Sequence, residues 1–121
     1  MLKLVDTSIW VQHFRVDVPD LAMLLSSQEV VLHPVILGEL AVGGLKKRRQ
    51  TLADLRVLPM VPERPFDESL DLIGHHRWYG IGLSWGDVQL LAAALSSGIP
   101  IWTFDTTLQT QANKLGIAWR P

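Results

Sequence analysis

Short apolar runs rich in β-branched residues alternate along this sequence with longer segments of helical periodicity, and no other feature restricts its fold as strongly. The runs at 2–5, 29–32 and 99–104 are predicted strands. A weaker run at 57–61 contains proline, which confines it to the edge of a sheet. Strands separated in this way by helices form a parallel sheet that the helices cover. The sequence therefore predicts an α/β fold.

Helical spacing marks most of the segments between these strands. The stretch directly after the first strand is polar and is predicted as a turn, with helical spacing resuming at Leu21. A proline in the first turn, or a glycine after the last, identifies several helix ends. On these signals helices are predicted around 21–25, from Pro34 to Gly43, over 66–78 and from Ser84 to about Ala94.

Composition bounds the size of the protein and excludes several functions. The 121 residues predict a single domain, 1–121, and the 48% hydrophobic content supplies its core. With 11 basic and 12 acidic residues, a nucleic-acid site would need a local basic patch. The absence of cysteine excludes disulfides, thiol catalysis and zinc knuckles. Neither a signal sequence nor a membrane span is present, so a cytoplasmic protein is expected.

Four acidic residues interrupt apolar surroundings, and they are Asp6, Glu39, Asp87 and Asp105. Asp6 and Asp105 each end a predicted strand, and the carboxyl ends of parallel strands form the crevice where ligands bind. Glu39 stands on a helix expected to be largely buried, where an unpaired carboxylate is costly. Carboxylates that converge on one cleft repel one another, and their hard oxygens suit Mg²⁺ or Mn²⁺. The set predicts a site for a divalent cation.

Each of these acids also has an ordinary structural explanation. Asp6 and Asp105 could serve only as N-caps of the helices that follow them. Asp87 lies three residues after Ser84, which is the spacing of a capping box. Glu39 could form a structural salt bridge to a distant arginine.

The segments 4–10, 35–43, 83–94 and 102–105 together resemble PIN-domain ribonucleases, and more narrowly the VapC toxins of bacterial toxin–antitoxin pairs. The likeness runs along the whole chain. It implies a three-layer α/β/α sandwich with a central, mainly parallel sheet. It also implies Mg²⁺- or Mn²⁺-dependent endonucleolytic cleavage of RNA, a cognate VapB-like antitoxin and a homodimer.

The resemblance assigns roles to single residues. The acidic tetrad of the family, which holds the metal and activates a water for attack on a phosphodiester, corresponds to Asp6, Glu39, Asp87 and Asp105. Thr103 matches a hydroxyl that orders the site, and Thr7 or Ser8 takes the same role beside Asp6. Many relatives carry a charged residue after the last acid, where this chain has Thr106. The expected products end in 5′-phosphate and 3′-hydroxyl groups.

Two further features are open to more than one interpretation. The basic run 46–49 either contacts RNA phosphates, through Lys46 and Arg49, or is a solvated helix end. Trp10 either packs in the core or offers a surface to an antitoxin helix or a second protomer. The competing hypothesis for the whole chain is a PIN-like module that has lost activity and only binds a partner or RNA. Mutual repulsion within an idle cluster of carboxylates argues against that hypothesis.

Overall fold

The structure, a computed structural model, describes residues 1–121 and contains a short parallel sheet. Its strands are β1 (Lys3–Val5), β2 (Val30–Val31) and β3 (Ile101–Trp102), in the order β2-β1-β3. Parallel single-residue bridges, Leu32 to Met60 and Ile101 to Ala118, extend the sheet at its two edges. The predicted parallel sheet is confirmed. The predicted strand 57–61 is reduced to the bridge at Met60, because the preceding helix and two prolines leave few residues free to pair.

Seven helices flank the sheet: α1 (Thr7–Arg15), α2 (Pro19–Ser26), α3 (Pro34–Val42), α4 (Arg48–Arg56), α5 (Phe66–His76), α6 (Trp85–Ser97) and α7 (Thr106–Lys114). The predicted polar turn after the first strand is wrong, because that segment is helix α1. Only Ile9 and Trp10 of this helix are buried, and its remaining residues are partly or fully exposed, so the buried stripe was too narrow to mark a helix in the sequence. The ends of α3 and the start of α6 agree with the prediction, whereas α6 continues past Ala94 to Ser97, where Gly98 caps it in the left-handed conformation at φ 71°.

All the buried hydrophobic residues except Ala92 form one cluster of 23 residues. All three strands are buried throughout, as expected of a parallel sheet that helices cover. None of the helices combines the length and the apolar character that a bilayer crossing requires.

Helix α3 begins at a buried histidine and not at a typical capping residue. His33 is fully buried, and its Nδ1 accepts a 2.9 Å hydrogen bond from the backbone N–H of Val35. Only Ile36 and Leu40 of this helix are buried, and Glu39 is exposed. The expectation that Glu39 lies on a buried helix is therefore wrong, since the apolar residues around it are themselves only partly covered.

Candidate active site

Two carboxylates lie at the carboxyl ends of adjacent parallel strands. Asp6 directly follows β1, and its backbone N–H donates to the carbonyl of Trp102 in β3 at 2.9 Å. Asp105 lies three residues after β3, at the start of α7. The sheet therefore brings these two acids, which are distant in sequence, to one edge.

A pair of hydroxyl groups orients Asp6, which is only 6% exposed. Its Oδ2 lies 2.9 Å from Ser8 Oγ and 2.7 Å from Thr103 Oγ1. Ser8 Oγ accepts the N–H of Phe104 at 3.0 Å, and Thr103 Oγ1 accepts the N–H of Asp105 at 2.9 Å. Because each hydroxyl accepts from the backbone, its single proton is free to be donated to Asp6. Asp6 Oδ1 has no hydrogen-bond partner in the protein.

The proposed capping role is confirmed for Asp105 and Asp87 but is wrong for Asp6. Asp105 Oδ1 accepts the N–H groups of Thr107 and Leu108 at 2.9 and 3.1 Å. Asp87 forms a capping box with Ser84, in which both hydrogen bonds measure 3.0 Å. Asp6 precedes α1, yet its side chain makes no capping bond. Capping occupies only Oδ1 of Asp105 and Oδ2 of Asp87, which leaves their second oxygens without a protein partner.

Glu39 is held by a hydroxyl and not by an arginine. Thr7 Oγ1 donates to Glu39 Oε1 at 2.7 Å, and the carboxylate forms no salt bridge. The alternative of a structural salt bridge is therefore wrong. Helix α6 approaches the same carboxylate at Gly86, where a Cβ atom would lie 3.8 Å from Glu39 Oε2 and 3.1 Å from Val35 Cγ1. The glycine lets the start of α6, which carries Asp87, pass close to Glu39.

The electrostatics of the cluster are unfavourable without a cation. Burial raises the pKa of Asp87, hydrogen bonds from Ser84 oppose the rise, and the nearby charges of Asp6 and Asp105 add to it. The salt bridges of the protein join other groups: Glu29 pairs with Lys3 and the N-terminus, and Arg64 pairs with Glu68. No Lys or Arg therefore neutralises the tetrad.

The donor set suits a hard divalent cation. Each of the four carboxylates has one oxygen fixed by a hydrogen bond and one without a protein partner. No three acidic or histidine side chains are grouped closely enough to hold one ion by themselves. Mg²⁺ commonly keeps several waters and binds through one or two carboxylates, so this spacing is compatible with it.

The two basic candidates lie in different places. Lys46 is in the loop between α3 and α4 and lines a cavity of about 460 Å³ that also contains Glu39. Arg49 is on α4 and does not line that cavity. The run 46–49 is not the end of α3, which ends at Val42, but spans the loop after it and the first turn of α4.

The sequence analysis did not identify several of the residues that surround the candidate site. Trp10 packs in the core at 2% exposure, whereas Val11 and Phe14 from the same helix are exposed and line the cavity beside Glu39. Ser8 contacts Asp6, whereas Thr7 contacts Glu39. The sequence alone did not show which of these two adjacent hydroxyl groups lies beside Asp6. The close approach of α6 to α3 at Gly86 could not be predicted from the sequence, because a lone glycine inside a helix has several explanations.

Comparison with known proteins agrees with this architecture. A family model described as PIN domain matches residues 3–114. Proteins named Ribonuclease VapC32, from Mycobacterium tuberculosis strains CDC 1551 / Oshkosh and ATCC 25618 / H37Rv, are each 39% identical over 116 residues, which cover 95% of this chain and 94% of theirs. The crystal structure of PAE2754 from Pyrobaculum aerophilum matches with a TM-score of 0.65 and 17% identity over 96% of both chains, a likeness of fold. The resemblance carried by the motifs is confirmed, and the chain belongs to the PIN domain family, within its VapC group.

Proposed function

We propose that this chain is a metal-dependent endoribonuclease that acts as the toxin of a toxin–antitoxin pair. The observation that carries the proposal is the arrangement of the tetrad, in which each carboxylate has one oxygen fixed and one free and no basic side chain neutralises the set. The relatives named Ribonuclease VapC32 support the same reaction and, by their toxin class, a VapB-like antitoxin as partner.

In this proposal the free oxygens of Asp6, Glu39, Asp87 and Asp105 would serve either as ligands of Mg²⁺ or Mn²⁺ or as the acceptor of the proton that the attacking water loses. Such an ion lowers the pKa of a water and neutralises charge on the leaving oxygen of a phosphodiester. Thr103, Ser8 and Thr7 hold the carboxylates in orientation through the hydrogen bonds described above. Attack on phosphorus from the side opposite the 3′ oxygen yields 5′-phosphate and 3′-hydroxyl ends.

The remaining expectations belong to the same proposal. The single buried cluster supports one domain over residues 1–121. Lys46, which lines the cavity beside Glu39, is the stronger RNA contact, and Arg49 is the weaker one. A homodimer and a cytoplasmic location complete the proposal, on the strength of the resemblance to VapC toxins.

The test is cleavage of total cellular RNA by the purified, antitoxin-free protein with Mg²⁺, Mn²⁺ or EDTA. Asp87→Asn is the informative variant, because an asparagine oxygen can still accept from Ser84 while the charge is lost. Asp71→Asn, an exposed acid on α5, is the matched control. We expect discrete fragments with wild type and the control, and none with EDTA or Asp87→Asn. Equal cleavage by Asp87→Asn would contradict the assignment of the tetrad, and the absence of cleavage under every metal would favour the binding module.

A further inference from the structure

A cavity of about 460 Å³ opens directly beside the candidate active site. Its walls come from α1, from the end of α3, from the loop that follows α3 and from α4. Glu39 belongs both to this cavity and to the acidic tetrad. The cavity therefore adjoins a group of the proposed reaction centre.

One wall of the cavity is apolar and aromatic. Val11 and Phe14 on α1 are 43% and 38% exposed, and the other apolar lining residues are Leu40 on α3 and Leu45 in the loop that follows it. The Phe14 ring lies 5.9 Å, centroid to centroid, from the ring of Trp10, which is buried at 2% exposure. This backing by a core residue restricts the movement of the exposed ring, so that it presents a flat apolar surface.

The rim of the cavity carries two cations. Arg15 and Lys46 are exposed lining residues, and neither forms a salt bridge. Glu39 is the only acidic residue of the lining. An apolar wall with unpaired cations at its edge is complementary to a nucleotide, which combines a flat base with an anionic phosphate.

We propose that this cavity receives one unstacked base of the RNA substrate next to the phosphodiester that is cut, with Phe14 as the stacking surface and Arg15 and Lys46 as phosphate contacts. The inference rests on the proposed nuclease function and names the residues that hold the substrate beside the cleaved bond. The volume of about 460 Å³ is within the range of pockets that hold small ligands, which suits a single base. Bases in loops and single strands can be splayed out in this way.

Binding of a short, fluorescein-labelled single-stranded RNA to the full-length Asp87→Asn protein in EDTA separates recognition from cleavage. Phe14→Ala in this background is expected to weaken binding about tenfold, the effect of losing one base–aromatic stack. Phe14→Tyr, which keeps the ring, restores affinity. Tyr79→Ala removes another exposed aromatic side chain that does not line the cavity, and it leaves affinity unchanged.

Abasic substitution along the same RNA locates the base that enters the cavity. At one position of the RNA, we expect removal of the base to weaken binding to the Asp87→Asn protein. The same removal should not weaken binding further when Phe14→Ala is also present. Independent losses at every position would overturn the assignment of Phe14 as a stacking surface.

The phosphate contacts have a separate signature in the salt dependence of binding. Arg15→Gln and Lys46→Gln are each expected to reduce the slope of log affinity against log salt concentration by about 0.7, the value for one phosphate contact to a single strand. Lys114→Gln, at the exposed end of α7, is the matched control and leaves the slope unchanged. Unchanged slopes in all variants would contradict the placement of phosphates at the rim.

The outcomes distinguish this inference from the proposed function. Metal-dependent cleavage by wild type, together with unchanged RNA binding by Phe14→Ala, overturns only the cavity assignment. If Phe14→Ala binds RNA normally but no longer retains the antitoxin, the cavity is the site of a protein partner and the inference is wrong. If wild type neither cleaves nor binds RNA, the proposed function fails with it.

Discussion

The two oxygens of each tetrad carboxylate have different surroundings. In Asp6 and Glu39 the fixed oxygen accepts from hydroxyl groups, and in Asp87 and Asp105 it accepts from backbone N–H groups. A side chain held through one oxygen keeps its second oxygen in a defined direction, which is how outer hydrogen bonds position metal ligands. The capping and catalytic interpretations of Asp87 and Asp105 are therefore compatible, since each uses a different oxygen.

Thr103→Val tests the hydroxyl network, because it keeps the shape of a buried side chain and removes one donor to Asp6 and one acceptor for the N–H of Asp105. We expect a loss of about 1–3 kcal/mol in the free energy of unfolding, from buried groups left unpaired, and a drop in cleavage rate of about 10- to 100-fold. Thr110→Val, whose exposed hydroxyl bonds only to the Thr106 carbonyl, is the control and changes neither quantity appreciably. Full activity in Thr103→Val would show that Asp6 needs no hydroxyl to orient it.

The raised pKa of Asp87 makes its charge a cost to the metal-free fold. The folded state holds the proton more tightly than the unfolded chain, so stability falls as pH rises above the ordinary aspartate pKa of 3.8. In EDTA we expect Asp87→Asn to be more stable than wild type at pH 7, with an advantage that shrinks toward pH 4. Urea unfolding at pH 7 and pH 4 measures this difference in stability, with Asp71→Asn as the unaffected control. A constant difference between wild type and Asp87→Asn would mean that the charge of Asp87 is not destabilising.

At the scale of secondary structure, α3 is the element whose position decides most about the site. It carries Glu39, its neighbour α6 approaches it at Gly86, and its first turn is capped by the ring of His33. His33 accepts through Nδ1, so its proton is on Nε2, which is buried without a partner. The cap exists only while the imidazole is neutral, because protonation of Nδ1 removes the acceptor.

His33 should make stability sensitive to acid. Burial lowers its pKa below the ordinary 6.5, and Glu63 opposes this only in part, so the stabilising contribution is present above pH 6.5 and lost as pH falls below it. His33→Asn keeps a capping oxygen but does not titrate. Between pH 7.5 and 5.5 we expect wild type to lose more unfolding free energy than the variant, by at most about 1.4 kcal/mol per pH unit. If urea unfolding shows equal losses of unfolding free energy in wild type and His33→Asn, His33 is not the cause of the acid sensitivity.

Across the whole molecule, net charge conceals a local imbalance. The chain carries a formal charge of −1, yet its four site carboxylates lie together without a basic partner, while Arg15 and Lys46 stand unpaired at the rim of the adjoining cavity. A cation bound among the carboxylates would relieve their repulsion. Metal binding should therefore be visible in global stability as well as in activity.

Millimolar Mn²⁺ or Mg²⁺ is expected to raise the Tm of wild type by several degrees, since a ligand at a hundred times its Kd adds about 2.7 kcal/mol to the stability of the folded state. Asp6→Asn and Asp87→Asn should lose most of this shift, and Asp71→Asn should retain it. Thermal melts in EDTA and in metal give the comparison. An equal shift in all four proteins would indicate metal bound away from the tetrad.

Sequence by itself determined the class of fold and the family, and it singled out the four acids that we propose as the tetrad, because strand and helix periodicity and the order of motifs are properties of the chain. It also indicated the capping box at Ser84 and Asp87, which is a local spacing. Only the tertiary structure decided that Glu39 is exposed, that Ser8 and Thr103 meet at Asp6, and that Phe14 lines a cavity together with Glu39. Those facts depend on which surfaces of α1, α3 and β3 come together. Contacts between residues as distant as Ser8 and Thr103 are set by packing, on which local periodicity carries no information.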